Sequence, residues 1–325
     1  MATSQTQPTA RIEVATSKTR AITDHARAVL GAALEPEERD DRFDNWPSEA
    51  SEQAPSADDF LAALAFADGV PVGFVGGDIG GDRGHGERPQ LDTIVAAPAG
   101  TDDGWAAALL TSMLDELVPY LDVDEFGDVE VWAKPARRFH QEVASTLSMR
   151  ELRALHQMRC TLPVAAEALP TRAYTDDDFD ELLSVNNRAF AGHPDQGAQT
   201  AMSLAGSMSE PWFQAAGVRL FERDGRLAGF CWTKIHPSPP SITELGEIYV
   251  IGVDPDFHGQ GLGVPMTAAG LAWLTDQGID VGMLYVEADN VPAIKTYERL
   301  GFSVLRTDRA WLWSPKTAQT AATSS

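Results

Sequence analysis

The sequence predicts an α/β (α+β) fold built as two tandem domains, each with a mixed and mainly antiparallel sheet flanked by helices. Three observations predict it: the chain length, an internal repeat, and alternating helical and strand-like patterns. The chain has 325 residues, of which 43% are hydrophobic. That length is long for one hydrophobic core and sufficient for two domains of ordinary size.

Three pairs of similar segments define the repeat. The pairs are GVPVGFVGG and GRLAGFCWT, LDTIVAAP and GEIYVIGVDP, and STLSMREL and ERLGFSVL. The equivalent residues are Phe74 and Phe230, Ile94 and Tyr249, and Leu147 and Leu300, at offsets of 156, 155 and 153 residues. A nearly constant offset of this size indicates duplicated domains, because the repeats of a solenoid are several-fold shorter.

A Pro/Ala-rich segment at residues 162–172, LPVAAEALPTR, marks the boundary between the two halves. Such a composition is typical of a linker. The predicted divisions are a disordered N-terminus at 1–10, an N-terminal domain at 11–162, a linker at 163–170, a C-terminal domain at 171–315 and a disordered tail at 316–325.

The most apolar segment of the first half is FLAALAFADGVPVGFVGG, which Asp68 and Pro71 interrupt. It predicts two short strands around a turn, because a membrane span needs about 20 predominantly apolar residues. The N-terminal segment MATSQTQPTARIEVATSKTR has no apolar core, so we expect no secretory signal. The two cysteines, Cys160 and Cys231, form no CxxC pair, which favours reduced thiols in a cytoplasmic protein.

The elements of the second half follow in a clear order. DDDFDELLSVNNRAFAG predicts a helix with an acidic first turn, and GVRLFERDGRLAGFCWTKIHP predicts a hairpin that turns at Asp224-Gly225. ITELGEIYVIGV is a strand, GVPMTAAGLAWLTDQG a helix ended by Gly278, and VGMLYVEA another strand. NVPAIKTYERLGF predicts a helix with Asn290 as its cap and Pro292 in its first turn, and SVLRTDRAWLW a closing strand.

The charge of the chain excludes several classes of partner. Its 25 basic and 48 acidic residues give a net charge of −23. Nucleic acids and anionic membranes are bound through clustered Lys and Arg, so we expect neither as a partner. The sequence contains no His/Cys cluster with metal-ligand spacing, so we expect no metal.

The segment GVDPDFHGQGLG, residues 252–263, is a glycine-rich loop between a strand and a helix. It lacks the Gly-Lys-Ser/Thr of a P-loop, and Gly259, Gly261 and Gly263 give GxGxG instead of the dinucleotide pattern GxGxxG. Converging backbone amides and the positive end of the next helix would bind a pyrophosphate without a basic side chain. A tight strand-to-helix turn explains the loop alone equally well.

The loop followed by LYVEADNVPAIKTYERLGF resembles the GNAT superfamily of N-acetyltransferases. In that family a loop Gln/Arg-x-x-Gly-x-Gly/Ala holds the pyrophosphate of coenzyme A; this chain has His258 at the first position, which removes one phosphate contact. The resemblance implies acetyl-CoA as co-substrate. The residues that it implies for acetyl-CoA binding are Ile251, Gly252, Val253, His258, Gly259, Gln260, Gly261, Leu262, Gly263, Val264, Asn290, Val291, Pro292, Ala293, Ile294 and Lys295.

Two catalytic side chains follow from the same resemblance. Glu247 is the candidate base, acting through water, and period-two alternation places it on one strand face with Tyr249 and Ile251. Without the resemblance it is a solvated carboxylate beside Glu244. Tyr297 matches the family's general acid near the sulfur, although its helical spacing alone predicts a core aromatic. A bulge permitted by Gly252 would free the Ile251 amide for the thioester oxygen.

The acceptor is expected to be a small-molecule amine. Two halves in tandem with NNRAFAGHPDQG, CWTKIHP and GEIYVIGVDP resemble GNAT enzymes that acetylate the cysteinyl amine of a cysteine–glucosamine–inositol conjugate. Such an α-amine costs about 1 kcal/mol to deprotonate at pH 7, whereas a lysine costs roughly 5. The residues that the resemblance implies for acceptor binding are Glu52, His193, Asp195, Lys234, Glu247 and Tyr285. Each alone is an ordinary surface or turn residue.

The first half departs from the glycine-loop pattern. It has AAPAGTDDGWAAALL at the equivalent place, where Asp102 and Asp103 put negative charge at the expected phosphate position. We therefore expect a degenerate, non-catalytic N-terminal domain. Whether it retains coenzyme along the strand containing Ile94, Val95 and Ala96 is open.

Two other functions compete with this interpretation. One is a GNAT enzyme that acetylates a protein N-terminus, a polyamine or an antibiotic, and the net charge of −23 would suit a cationic acceptor. The other is a non-catalytic acyl-CoA sensor, against which Glu247 and Tyr297 argue, since a sensor needs neither. A monomer is expected, because the duplicated half takes the place of a second subunit.

Overall fold

The computed structural model describes residues 8–15, 20–33, 60–79, 88–121, 127–192, 197–236 and 244–315. The expected disordered tail at 316–325 and most of the expected disordered N-terminus lie outside these ranges, but Ala10 already belongs to the first strand. The chain divides into two compact units: unit 1 contains the described residues up to Ala154 and from Thr307 onward, and unit 2 runs from Leu155 to Arg306. Among the described helices, none is long and apolar enough to cross a membrane.

Unit 1 contains one mixed sheet with helices packed against it. Its elements are β1 (Ala10–Ala15), α1 (Arg20–Ala33), β2 (Phe60–Ala67), β3 (Val70–Asp78), β4 (Gln90–Val95), α2 (Asp103–Leu117), β5 (Val129–Ala133), α3 (Arg138–Thr146), the beginning of β6 (Arg150–Thr161) and the end of β12 (Ser303–Trp313). The strand order is β1-β2-β3-β4-β5-β12, and all neighbours are antiparallel except β4 and β5. The predicted pair of strands around Asp68 is therefore confirmed.

Unit 2 repeats this arrangement. Its further elements are β7 (Arg172–Ala173), α4 (Phe179–Ala189), α5 (Ala201–Met208), β8 (Val218–Arg223), β9 (Arg226–His236), β10 (Leu245–Val253), α6 (Gly263–Asp276), β11 (Val281–Glu287) and α7 (Val291–Glu298). The strand order is β7-β8-β9-β10-β11-β6, with β10 and β11 as the parallel neighbours. The mixed, mainly antiparallel sheet flanked by helices was thus predicted correctly for both halves.

The last strand of each half is exchanged. Residues 155–161 of β6, from the first half of the chain, pair with β11 in unit 2. Residues 309–313 of β12, from the end of the chain, pair with β5 in unit 1. The compact units therefore differ from the continuous segments 11–162 and 171–315, because the sequence repeat cannot reveal which sheet a terminal strand joins.

Local turn chemistry follows the sequence closely. Asp224 and Gly225 have φ angles of 55° and 73°, the left-handed conformation of a type I′ hairpin turn. Gly278 has φ of 87° after the last turn of α6, where the Ile279 amide donates to the Leu274 carbonyl. The Asn290 side chain accepts a hydrogen bond from the Ala293 amide and caps α7.

The sheet of unit 2 separates two apolar clusters. Met266, Leu271 and Leu274 of α6 pack with α7 on one face, and Leu182 and Val185 of α4 pack on the other. Helix α6 lies so close to the sheet that a Cβ at position 270 would overlap Sγ of Cys231, which explains the glycine there. The segment predicted as a linker also contributes to this unit, since the Leu169 amide donates to the Pro265 carbonyl at 3.1 Å.

Candidate active site

A cleft opens in unit 2 where β10 and β11 separate. The two strands pair only from Leu245–Val281 to Glu247–Met283, and beyond Glu247 they diverge. The resulting cleft has a volume of about 640 Å³. Its lining residues are Ala189, Phe190, Ile251, Gly252, Val253, Phe257, His258, Gly259, Gly261, Leu262, Gly263, Asn290, Pro292, Ala293 and Thr296. A cleft of this size suits a cofactor-sized ligand.

The glycine loop forms one wall of the cleft. Gly259 and Gly261 have φ angles of 75° and 74°, a conformation that side chains with a Cβ rarely adopt. The space beside both glycines is open, with no protein atom within 4 Å of an added Cβ. The ring Nε2 of His258 lies 2.8 Å from the Val253 carbonyl and so ties the loop back to the end of β10. The residue that departs from the family pattern therefore fixes the loop's shape.

The N-terminus of α6 points into the cleft without a side-chain cap. Leu262 occupies the cap position and accepts no side-chain hydrogen bond. Gly263 and Val264 carry the first amides of the helix, and Pro265 has none to offer. Uncapped amides at a helix start carry the positive end of the helix dipole and bind phosphate groups.

A buried carboxylate supports the start of the loop. Asp254 is 1% exposed, its Oδ1 lies 3.1 Å from Nη2 of Arg188, and it accepts the amide hydrogen of Asp256 at 2.9 Å. Asp256 also pairs with Arg226 at 2.7 Å, which holds the pKa of Asp256 below its usual value. The sequence analysis missed this cluster, since its members are far apart in the chain and follow no motif.

Not every residue predicted for acetyl-CoA binding lines the cleft. Val264 and Ile294 pack against the α6–α7 core, and Val291 and Lys295 are exposed. Gln260 lies at the loop surface, where its Oε1 accepts a hydrogen bond from Nη1 of Arg223 at 2.7 Å. The role of these five residues in acetyl-CoA binding stays a prediction.

The candidate base is buried beside a histidine that the sequence analysis did not select. Glu247 is 8% exposed and His236, the last residue of β9, is 6% exposed. Glu247 Oε2 and His236 Nε2 are 2.9 Å apart. Glu247 also lies directly opposite Lys234 on β9, so it is not the solvated strand-end carboxylate that its sequence neighbours allow. Alternation along CWTKIH places Lys234 and His236 on one face, and this was the available signal.

A β-bulge on β10 changes the predicted facing of Ile251. The register with β9 shifts between Ile248 and Val250, so Tyr249 and Val250 both join the cluster that α4 and α5 form on one face of the sheet, the α4–α5 cluster. Ile251 consequently faces the α6–α7 core with Ile248, and the prediction that it shares a face with Glu247 and Tyr249 is wrong. The extra residue at Tyr249 reverses the period-two alternation. The bulge lies at Tyr249, whereas the sequence predicted it at Ile251 and Gly252, which pair regularly with Cys231 and Phe230.

Tyr297 lies in the α6–α7 core. It is 9% exposed, and its ring centroid is 5.9 Å from that of Phe302. Burial raises the pKa of Tyr297 to about 12, with a smaller contribution from Cys231. Tyr297 itself does not line the cleft, but Thr296 beside it does. Its phenol therefore stays protonated and able to donate at any physiological pH.

Among the described residues, the two other candidates for binding the amine acceptor are Lys234 and Tyr285. Both lie on the same face of the sheet as Glu247. Tyr285 lies two residues beyond Met283, the parallel partner of Glu247, and its hydroxyl accepts from Gln157 Nε2 at 2.8 Å and Arg306 Nη2 at 2.9 Å. Lys234 Nζ lies 4.9 Å from the centroid of the Trp212 ring. Three further candidates lie outside the described residues: Glu52, His193 and Asp195.

An aromatic cluster borders Lys234. Trp212 lies 4.9 Å from Tyr249 and 6.0 Å from Trp232 between ring centroids, and Phe213 lies 5.4 Å from Trp232. Trp212–Tyr249 and Phe213–Trp232 pack edge to face, and Trp212–Trp232 is a tilted pair, so the rings restrict one another. The cluster holds a rigid apolar wall beside the polar row of Lys234 and Glu247. Sequence alone did not indicate it.

The described residues of unit 1 differ from this cleft at the equivalent helix start and strands. The Asp102 carboxylate caps α2 by accepting the Trp105 amide hydrogen at 2.9 Å, which occupies the helix start that is uncapped in α6. Thr93 Oγ1 donates to the Trp132 carbonyl at 2.7 Å and links β4 to β5. The sequence left open whether the strand segment Ile94–Ala96 binds a coenzyme. In the structure, the Ala96 amide donates to the Val72 carbonyl at 2.9 Å.

Unit 1 also has a neutralised counterpart of Glu247. Asp92 precedes Glu247 by the repeat offset of 155 residues, and it pairs across the parallel strands with Trp132 as Glu247 pairs with Met283. Its Oδ1 lies 3.0 Å from Nζ of Lys134, the counterpart of Tyr285. Within the described residues, no group of three or more His, Cys, Asp and Glu side chains that could hold a metal ion was found.

Comparison with known proteins places both halves in one family. The family model of the acetyltransferase (GNAT) family matches residues 21–144 and 180–302. The mycothiol acetyltransferase of Rhodococcus opacus is 37% identical over 70% of this chain and 76% of the relative. That of Mycobacterium avium is 41% identical over 70% and 75%.

Solved structures agree on the fold. A GCN5-related N-acetyltransferase from Sphaerobacter thermophilus covers 96% of this chain and 98% of its own, with a TM-score of 0.65 and 17% identity. A tandem GNAT protein from the clavulanic acid biosynthesis pathway covers 95% and 100%, with a TM-score of 0.55 and 14% identity. The chain belongs to the acetyltransferase (GNAT) family, as an acetyl-CoA-dependent N-acetyltransferase with two GNAT domains.

Proposed function

We propose that this enzyme is a mycothiol synthase. It transfers the acetyl group of acetyl-CoA to the cysteinyl amine of 1-O-(2-(L-cysteinylamino)-2-deoxy-glucopyranosyl)-myo-inositol and releases mycothiol and coenzyme A. The reaction is supported by the similarity of this chain to two mycothiol acetyltransferases, which are 37% and 41% identical to it. Two observations carry the assignment in this chain: Glu247 is buried at the point where β10 and β11 separate, and the start of α6, which lines the cleft, has no side-chain cap.

The donor would enter the cleft with its diphosphate at the glycine loop. The backbone amides from Gly261 to Val264 would hold the anion there without a basic side chain. The acyl arm would then run along Ile251–Val253, which line the same cleft. The Ile251 amide is our candidate donor to the thioester oxygen, where negative charge develops during attack.

The acetyl group would move in one direct transfer. The neutral amine attacks the thioester carbon, the carbon–sulfur bond breaks, and the amine's extra proton passes through water to Glu247. Glu247 would act from the α4–α5 face and Tyr297 from the α6–α7 face. The separation of β10 from β11 beyond Glu247 leaves a gap through which one substrate complex reaches both. No covalent acetyl-enzyme is required.

Tyr297 would stabilise the leaving sulfur. A phenol with a pKa of about 12 is a weaker acid than a thiol of pKa about 8.5, so full proton transfer in water would be uphill by about 5 kcal/mol. Desolvation makes the departing thiolate more basic and narrows this gap. We therefore assign Tyr297 a hydrogen bond to the sulfur as charge develops, followed by the proton.

Tyr297→Phe is expected to lower kcat by about 20-fold, the loss of one hydrogen bond to a developing anion. The affinity for acetyl-CoA should change by less than about twofold, because the phenyl ring retains the packing against Phe302. Steady-state kinetics and acetyl-CoA titration measure both. Unchanged turnover would leave Tyr297 as a packing residue.

The charges around Glu247 favour an oxygen-rich acceptor over a polycation. Lys234 lies across from Glu247, and Arg306 donates to the Tyr285 hydroxyl. These cations would repel a polyamine locally, although the whole chain carries a net charge of −23. Lys234 and Tyr285 would instead offer directional hydrogen bonds to sugar and inositol hydroxyl groups.

A thiol-release assay tests the assignment. Acetyl-CoA is supplied with the cysteinyl conjugate, spermidine, or a peptide with a free N-terminus. Release with the conjugate alone supports mycothiol synthase. Turnover of spermidine or the peptide with no response to the conjugate would replace it by another N-acetyltransferase function.

Acetyl-CoA titration calorimetry is expected to give one binding site per chain. In unit 1 the helix start is capped by Asp102 and the counterpart carboxylate Asp92 is paired with Lys134. A diphosphate there would have to displace one carboxylate and approach Asp103 as well. Two sites of comparable affinity would contradict the proposal that the N-terminal domain is degenerate.

A further inference from the structure

His236 is a buried imidazole for which the proposed reaction has no role so far. Its Nε2 lies 2.9 Å from Oε2 of Glu247, and both side chains are buried. We propose that His236 is a positioning residue that orients the carboxylate of Glu247 for proton transfer. The proposal rests on the role of Glu247 as the base.

The chemistry of the pair determines which atom carries the hydrogen. An ionised carboxylate only accepts hydrogen bonds, so the bond requires the proton to be on Nε2 of His236. This bond engages Oε2 and leaves Oε1 for the water that carries the acceptor's proton. A carboxylate held by one oxygen loses the rotation about its terminal torsion, which is otherwise broad.

The strand geometry makes this contact durable. His236 lies opposite Leu245 and Lys234 opposite Glu247, so both β9 side chains project on the face of the base. The paired strands fix their spacing, and the bulge begins only after Ile248. Catalytic groups on regular strands are held more precisely than groups on loops. The histidine is therefore placed to hold the base before substrate arrives.

The alternative is that the two residues exchange roles, and variants of His236 distinguish the two arrangements. In the second arrangement His236 itself takes the proton and Glu247 orients the ring, as in a Ser-His-Asp triad. His236→Gln separates the two, because glutamine can offer an N–H near the Nε2 position but cannot accept the proton. His236→Leu removes both abilities. In His236→Asn the side chain carries an N–H but is too short for it to reach Oε2 of Glu247.

The experiment measures kcat and both KM values for these three variants, with whichever amine supports turnover. We expect His236→Leu and His236→Asn to lower kcat about 10- to 100-fold and His236→Gln to stay within about threefold of the parent protein. KM for acetyl-CoA should stay within about twofold, as its binding wall is separate. Recovery by glutamine would not follow from a purely packing role.

The double variant His236→Leu/Glu247→Gln completes the test. We expect it to be no slower than Glu247→Gln alone, because a missing base leaves nothing to orient. Equal losses in both backgrounds would overturn the proposal, as would a normal kcat for His236→Leu. If kcat of His236→Gln falls as far as kcat of His236→Leu, His236 and not Glu247 is the base. Since any reactive amine serves, these outcomes are separate from a wrong acceptor assignment.

Discussion

Glu247→Gln is expected to lower kcat/KM for the amine acceptor by about 10³-fold at pH 7, within the range of a lost general base. Glutamine has the shape of glutamate and preserves packing at this buried position, but it cannot take a proton. Acetyl-CoA affinity should be unchanged, because the loop from His258 to Gly263 is unaltered. The deficit should narrow above the amine's pKa of about 8, where more acceptor is already neutral.

A matched control is available three residues away. Glu244→Gln removes the same charge from an exposed position and should change kcat/KM by less than about twofold. The protein's own cysteines should add little background signal to the thiol-release assay. Cys160 and Cys231 are buried, and burial raises the pKa of each to about 12, so they react slowly with thiol reagents. Equal activity of Glu247→Gln and the parent would remove Glu247 from the mechanism.

Gly261→Asp is expected to raise KM and Kd for acetyl-CoA about 100-fold, a loss of about 2.7 kcal/mol of binding energy. The added carboxylate would project from the loop that we assign to the diphosphate, beside the uncapped start of α6. Aspartate tolerates positive φ better than most residues, so the loop should keep its conformation. The kcat at saturating acetyl-CoA should fall far less than the affinity.

Gly278→Asp is the control for backbone strain. Gly278 also has positive φ and open space around its Cβ position, and it lies at the other end of α6. Negative charge at a helix C-terminus is unfavourable, so this variant should lose at least as much stability as Gly261→Asp. Calorimetry should nevertheless give parental acetyl-CoA affinity. A matching loss of affinity in both variants would mean that α6 stability, and not the loop, determines binding.

Local signals predicted much of the fold. The hairpin turn lies at Asp224-Gly225, α6 ends at Gly278, and α7 is capped by Asn290, as the chemistry of these residues predicts. The glycine loop also lies at a cleft, as its spacing suggested. These features depend on a few neighbouring residues, so one sequence suffices to find them.

Features that depend on tertiary contacts were not predictable in the same way. The sheet face of Ile251 was predicted wrongly, because a single extra residue at Tyr249 reverses the alternation of side chains. No residue type in the segment indicates such a bulge. The pair His236 and Glu247 joins residues on two strands whose register is set by pairing. The neutralisation of Asp92 by Lys134 likewise appears only when β4 and β5 lie side by side.

The exchange of terminal strands has a consequence for synthesis of the protein. In unit 1, β5 pairs with β4 on one edge, but its other edge has no partner until Thr307–Trp313 has left the ribosome. An unpaired strand edge on a nascent chain invites pairing with other chains. The N-terminal half should therefore mature last, although it is translated first, and neither half of the gene should yield a self-sufficient product.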